Sequence, residues 1–353
     1  MKIEMEFLRD QFESDLIAEI NDDGEVVIGG AEFTPTEILQ ELDNLSYQSS
    51  FDDWLVEQKQ KRLCRADEIL NQYGNRNRFN QLKKVYEQGS VVPFVGAGLS
   101  QSSGYPGWTA FLEKLCGETR ITSNDLKKML SDGLYEEAAQ ALADDMPAGS
   151  FNEELENVFC SENIVKGAIH FLPHIFKGPV ITTNFDNVLK QCFDKIRPFS
   201  EILLGGDALE IKRYLGRNEN VLVKLHGKAN SGKNRVLTKR EYDSFYDQSN
   251  SLTNVIKSIA SNQLLFIGCS LGVDRTLKVL IEIAQEHGYD NTVRHYAFLP
   301  LFNDAERLER RDALAEANIF PIWYPVEVLD GNVVNEEAHD ESIAALFEAL
   351  GGI

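Results

Sequence analysis

Four short polar groups in this sequence each end an apolar run, and each is built from residue types that can handle a phosphate, a sugar hydroxyl or a proton. Gly96-Ala97-Gly98-Leu99-Ser100 follows Val91–Val95. Small residues there would let backbone N–H groups approach a pyrophosphate without steric clash. Gln101 stands where the dinucleotide fingerprint has its third glycine, so a plain strand-to-helix turn is an equal reading of this group alone. Thr182-Thr183-Asn184-Phe185-Asp186 closes a second run, where Asp186 could simply cap the next helix. Lys224-Leu225-His226-Gly227 closes a third, placing one histidine before a glycine that permits close approach. Gly268-Cys269-Ser270-Leu271-Gly272-Val273-Asp274 closes a fourth.

The elements that would position these groups alternate. Strand-length runs recur at Val91–Val95, Val180–Thr182, Val221–Leu225, Leu264–Ile267, His295–Leu299 and Ile319–Tyr324. Helical stretches fall between several of them, at Asn187–Phe193, Thr238–Asp247 and Asp274–His287. Strands alternating with helices imply an α/β fold with a parallel sheet covered on both faces. Such sheets bind ligands beyond the carboxyl ends of their strands, where all four polar groups lie.

Taken in order, Gly-Ala-Gly-x-Ser, Thr-x-Asn-x-Asp, His-Gly and Gly-x-Ser resemble the sirtuin superfamily over roughly Val91–Leu280. The resemblance implies a Rossmann-like fold that takes NAD⁺ as substrate. It implies that Gly96, Ala97, Gly98 and Ser100 line the dinucleotide, that Gly268 and Ser270 serve its adenosine half, that Thr182 and Asp274 also bind it, and that Asn184, Asp186 and His226 surround the nicotinamide ribose. The residue types suit glycosidic cleavage, which builds positive charge on the ribose as nicotinamide leaves. Asn184 can hold a ribose hydroxyl or a water without titrating, and His226, with an ordinary pKa of about 6.5, can take a proton near neutrality. Asp186 could bond the nicotinamide carboxamide.

The sequence departs from protein-deacylating sirtuins. No cysteine lies between His226 and Gly268, so no zinc ribbon and no metal are expected; Gly104-Tyr105-Pro106-Gly107-Trp108 lacks the family's arginine, and no Phe-Gly-Glu segment is found. Water is therefore the expected acceptor. With Leu237-Thr238-Lys239-Arg240-Glu241-Tyr242 and Asp274, the chain resembles the sirtuin-like NAD⁺ glycohydrolases of bacterial antiphage systems. That implies a gated, abortive-infection type of NADase; ADP-ribosyl transfer or cyclisation would use the same residues, and a non-catalytic NAD⁺ or ADP-ribose sensor is the alternative of a different class. No sensor, ATPase or Argonaute-like module is read after the core. The gate is expected in self-assembly into a homo-oligomer or in a separately encoded activator, whether ATPase, Argonaute-like or nucleotide-sensing.

The first 75 residues read as an acidic α+β appendage, and residues 76–353 as the sirtuin-like domain. Residues 1–60 hold 16 acidic against three basic side chains, while the 353-residue chain has a formal net charge of −21. So acidic a surface disfavours direct nucleic-acid binding. A hairpin is expected over Ala18–Gly30, turning at Asn21–Gly24. Thr34-Pro35-Thr36-Glu37 has the layout of a capping box, and a second helix is expected over Phe51–Tyr73. Five widely spaced cysteines, an acidic start and no long apolar run give the expectation of a reducing cytoplasm, without disulfides or a membrane span. His170 and His174, separated by Pro173, read as structural, and Lys228, Lys233 and Arg235 read either as phosphate contacts or as a solvated basic turn.

Overall fold

The computed structural model describes residues 5–20, 26–217, 219–232, 234–246, 252–272, 274–326, 328–329 and 333–352. Its centre is a seven-stranded, wholly parallel sheet: β1 Val91–Val95, β2 Val180–Thr182, β3 Glu201–Leu204, β4 Val221–Lys224, β5 Gln263–Ile267, β6 His295–Leu301 and β7 Ile319–Pro325. The spatial order is β3-β4-β2-β1-β5-β6-β7. The chain leaves β1 toward one edge and returns to β5 on its other side. The order thus reverses between β1 and β5, which makes the loops after these two strands the walls of a ligand crevice in a Rossmann-like sheet.

Side-chain alternation explains why the sheet is covered twice. Val95, Leu265, Ile267, Phe298, Ile322 and Tyr324 face one core, whereas Val92, Phe94, Leu264, Phe266, Leu299 and Trp323 face the other. Strands buried on both sides must be nearly continuous apolar runs, which is why the sequence exposes them so plainly. Edge strand β3 escaped that reading. It is four residues long and begins with the exposed Glu201, so it has neither length nor continuous apolarity.

Four helices of nine or more residues stand between β1 and β2, at Trp108–Cys116, Ser123–Ser131, Tyr135–Asp145 and Ser150–Phe159. They bury Phe111, Leu112, Leu126, Leu142, Leu155 and Phe159 in the first core. The C-terminal helix Glu336–Gly351 enters the same core and lies along the helix Asn44–Leu70. There Glu348 is fully buried and held by Arg62 Nε at 3.1 Å and Lys59 Nζ at 3.4 Å.

The N-terminal region differs in detail from expectation. Residues Arg9–Ile20 are helical, and the hairpin pairs Val26–Ile28 with Ala31–Phe33 around Gly29 and Gly30. Both glycines have positive φ, 63° and 90°, the backbone a two-residue hairpin turn demands. The expected turn residues Asn21–Gly24 lie outside the described residues. The capping box forms, with Thr34 N donating to Glu37 Oε2 at 2.8 Å and Glu37 N to Thr34 Oγ1 at 3.2 Å. The long helix starts earlier than expected, at Asn44, because Asp43 caps it by accepting from Ser46 N at 3.2 Å. A small cluster of Phe12, Leu16, Tyr47 and Phe51 holds this region together. Near residue 75 the chain is pinned, not loose: Asn75 Nδ2 donates to Trp323 O at 2.7 Å and Asn75 Oδ1 accepts from Trp323 N at 3.0 Å.

Candidate functional site

At the β1/β5 crevice the glycines serve contact between the two loops. Gly96 N donates to Ile267 O and Gly98 N to Gly268 O, both at 2.9 Å. A Cβ on Gly96 would lie 2.4 Å from Gly268 O, and one on Gly98 2.9 Å from the same atom. Gly268 itself has φ +67°, a backbone that disfavours a side chain. The glycine pattern therefore has a packing cause in this chain, in addition to any approach of a phosphate.

The segment after β2 leans on the loop after β1. Thr182 Oγ1 donates to Val95 O at 2.7 Å and accepts from Asn184 N at 3.0 Å. Asn184, 8% exposed, sends Nδ2 to Ser100 Oγ at 3.3 Å, and the Ser100 hydroxyl also reaches the Asp186 carboxyl. Asp186 Oδ1 accepts from Val188 N at 3.0 Å, the first N–H of the helix Val188–Asp194, from one residue outside the N-cap position held by Asn187. Burial raises the Asp186 pKa, offset in part by Lys224. Lys224 ends β4 and donates to Phe185 O at 2.9 Å and Asp186 O at 2.7 Å; burial lowers its pKa to about 8.

His226 sits farther along the same rim. It is 5% exposed, its Nε2 lies 3.2 Å from Tyr246 Oη, and its buried Nδ1 has no partner among the described residues. Tyr242 meets the ring edge-on at 5.3 Å between centroids and stacks on Tyr246. Burial in this aromatic surround lowers the His226 pKa to about 3. In this conformation the imidazole is neutral at physiological pH, the form able to accept a proton, but desolvation makes it a much weaker base than its ordinary pKa implies. Gly227, with φ +74°, lets Asn234 O close the turn, since a Cβ would lie 2.1 Å from that atom.

Asp274 caps the helix Arg275–His287 through Leu277 N at 2.8 Å, and burial raises its pKa. Arg275 beside it binds Glu136 Oε2 at 2.6 Å and Asp243 Oδ1 at 2.5 Å, and lies over the rings of Tyr242 and Tyr246. Ser270 is exposed on the loop after β5, and Val273 lies outside the described residues.

Ala97, Asn184 and Asp186 share one small cavity with Pro106, Trp108, Phe159 and Phe185. Its volume is about 10 Å³, room for about one water, whereas ligand pockets run to several hundred. The wall is aromatic: Trp108 meets Phe185 at 5.5 Å and Phe159 meets Phe185 at 5.9 Å. An open depression of about 670 Å³ exists elsewhere, around Leu209, Lys212, Leu215 and Lys257. It contains none of the motif residues and is not assigned the chemistry.

The structure thus brings Ala97, Ser100, Thr182, Asn184 and Asp186 together, with Gly96, Gly98 and Gly268 forming the adjoining loop contact. It sets His226 in a neighbouring aromatic pocket, and leaves Ser270 and Asp274 on the β5 side. Sequence reasoning gave no role to Lys224, Tyr246 or the Trp108–Phe159–Phe185 wall. A lysine inside the otherwise apolar Val221–Leu225 was a readable signal. The wall, drawn from three separate segments, offered none. His170 and His174 pack around Phe7, as structural residues do. Arg235 pairs with Glu241 at 2.7 Å, while Lys233 lies outside the described residues.

Residues 179–322 match the family model of the SIR2-like domain. That stretch is similar to SIR2-like domains. The match takes in the Asn184, His226 and Gly268 groups and begins after the Gly96 turn. Among curated relatives, "Defense-associated sirtuin 2" of Bacillus subtilis is 29% identical over 209 residues, 57% of this chain and 20% of that protein. "NAD(+) hydrolase ThsA" of Bacillus cereus (strain MSX-D12) is 22% identical over 237 residues, 67% of this chain and 47% of that protein. The chain thus spans less than half the length of these relatives. A solved structure described under the mechanism and regulation of Sir2 enzymes aligns with a TM-score of 0.32 and 14% identity, covering 77% of this chain and 98% of that one. Among the described residues no helix is long and apolar enough to cross a membrane, and no group of three or more His, Cys, Asp or Glu side chains could hold a metal ion.

Proposed function

We propose that the SIR2-like domain hydrolyses NAD⁺ to nicotinamide and ADP-ribose. The C–N bond from ribose to nicotinamide breaks, water forms the new C–O bond, and the water's proton is released. The observation that carries this reading is the convergence of Ala97, Asn184 and Asp186 on one cavity, with Ser100 behind it accepting from Asn184 Nδ2 at 3.3 Å. Asn184 would orient a ribose hydroxyl or the attacking water, Asp186 the carboxamide, and His226 would take a proton. Ser100 and the Gly96–Gly98 and Gly268 loops would hold the dinucleotide, with Ser270 and Asp274 toward the adenosine. The relatives' names, an NAD⁺ hydrolase and a defence-associated sirtuin, support a defence role in which NAD⁺ is depleted.

The 10 Å³ cavity makes opening a condition of activity. Trp108, Phe159 and Phe185 must part before NAD⁺ enters, which fits an enzyme gated by self-assembly or by a second polypeptide. The acidic segment 1–75 is the proposed docking unit for such a partner. The same small cavity, with a histidine of pKa about 3, favours a second reading as an NAD⁺ or ADP-ribose sensor. Incubation with NAD⁺, alone and with candidate activators, followed by chromatography, separates these readings. Nicotinamide and free ADP-ribose in equal amounts support hydrolysis; cyclic or protein-linked product indicates another acceptor. ADP-ribose binding without turnover under any condition indicates the sensor.

A further inference from the structure

Lys224 is 2% exposed at the carboxyl end of β4, inside a sheet whose neighbouring positions are apolar. Its partners are two successive main-chain carbonyls, Phe185 O at 2.9 Å and Asp186 O at 2.7 Å. Residues 183–187 have no helix or strand pairing of their own, so these carbonyls need donors from elsewhere. β4 lies beside β2 with Lys224 opposite Thr182, and Thr182 holds the near end of the same turn through Asn184 N. The turn bearing Asn184 and Asp186 is therefore braced at one end by a hydroxyl and at the other by an ammonium.

We propose that Lys224 is a positioning residue of the NAD⁺ site, clamping the Asn184–Asp186 turn so that both side chains face the cavity. This rests on the hydrolase reading above and extends it to a residue outside the cavity lining. A charged donor makes stronger bonds to the carbonyls than a neutral amine, so the clamp weakens when Lys224 loses its proton. Burial brings that loss to about pH 8. The charged or titratable groups facing Lys224 are Asp186 on the turn, Lys228 on the loop after β4 and Cys160 at the end of the helix Ser150–Phe159; Asp186 and Cys160 favour the protonated form and Lys228 opposes it.

The test combines steady-state NAD⁺ hydrolysis from pH 6 to 10 with amide hydrogen exchange on wild type, Lys224→Met and Lys224→Arg. The clamp predicts faster exchange in Lys224→Met confined to residues 183–188. It predicts a kcat loss of roughly 30-fold or more, with KM changed far less, as expected when geometry and not binding is lost. In wild type kcat falls above about pH 8, and in Lys224→Arg, which keeps its proton, that alkaline limb disappears from the measured range. Wild-type kcat and exchange in Lys224→Met would overturn the proposal. If Lys224→Met does not fold, an alkaline limb in Lys224→Arg identical to wild type overturns it equally. If wild type releases no nicotinamide alone or with any candidate activator, the hydrolase reading fails, and the exchange of residues 183–188 still decides the clamp.

Discussion

The two halves of the site are built on opposite plans. The Asn184 half is tied at each point: Thr182 and Ser100 bond Asn184, Val188 bonds Asp186, and Lys224 bonds the turn between them. The His226 half is packed by aromatic rings and, among the described residues, has one polar contact, Tyr246, with Nδ1 buried and unpartnered. A braced polar turn is ready before the substrate arrives. Under the proposed hydrolase reading, the desolvated imidazole would gain its working pKa and a partner for Nδ1 only once the pocket is opened and filled.

The largest expected effects test whether both halves belong to one site. Asn184→Ala and His226→Ala should each lower kcat for NAD⁺ hydrolysis by about 100-fold or more, on the scale of losing a transition-state donor or a general base. Next, Gly96→Ala should destabilise the fold by about 3 kcal/mol in denaturant unfolding, since its Cβ would meet the rigid Gly268 carbonyl at 2.4 Å. An Ala97→Gly control, at a position with no such constraint, should cost far less.

A pH experiment sharpens the contrast. Because the folded pKa of His226, about 3, lies below its unfolded value, the unfolded chain binds the extra proton. Stability owed to His226 is complete above about pH 6.5 and declines as pH falls toward 3. Against His226→Gln, wild type should lose about 2 kcal/mol more unfolding free energy between pH 6.5 and pH 5. The smallest effect is Tyr246→Phe, which removes the one polar contact of the ring and should lower kcat by about tenfold with little change in melting temperature.

The same contrast governs what the sequence disclosed. Strand segments buried on both faces, such as Val92–Val95 and Leu264–Ile267, must be apolar throughout, so their ends and the polar groups following them were visible. Asn184, Asp186, Ser100 and Thr182 stood out as candidates because they lie at or just beyond strand ends. The four longer helices between β1 and β2 went unread, since their amphipathic stripes are short, and with them went Phe159 and the wall that closes the cavity. The N-terminal hairpin was displaced because Ala18–Ile20, expected as its start, complete the helix Arg9–Ile20, and the pairing observed turns at Gly29-Gly30.

The most direct measurement is chromatographic quantification of nicotinamide and ADP-ribose released from NAD⁺ by wild type, Asn184→Ala and His226→Ala, at matched folded concentration and with the activating partner when one is required. The account predicts equimolar products from wild type and a loss of about 100-fold or more in each variant. Turnover in both variants equal to wild type would contradict it.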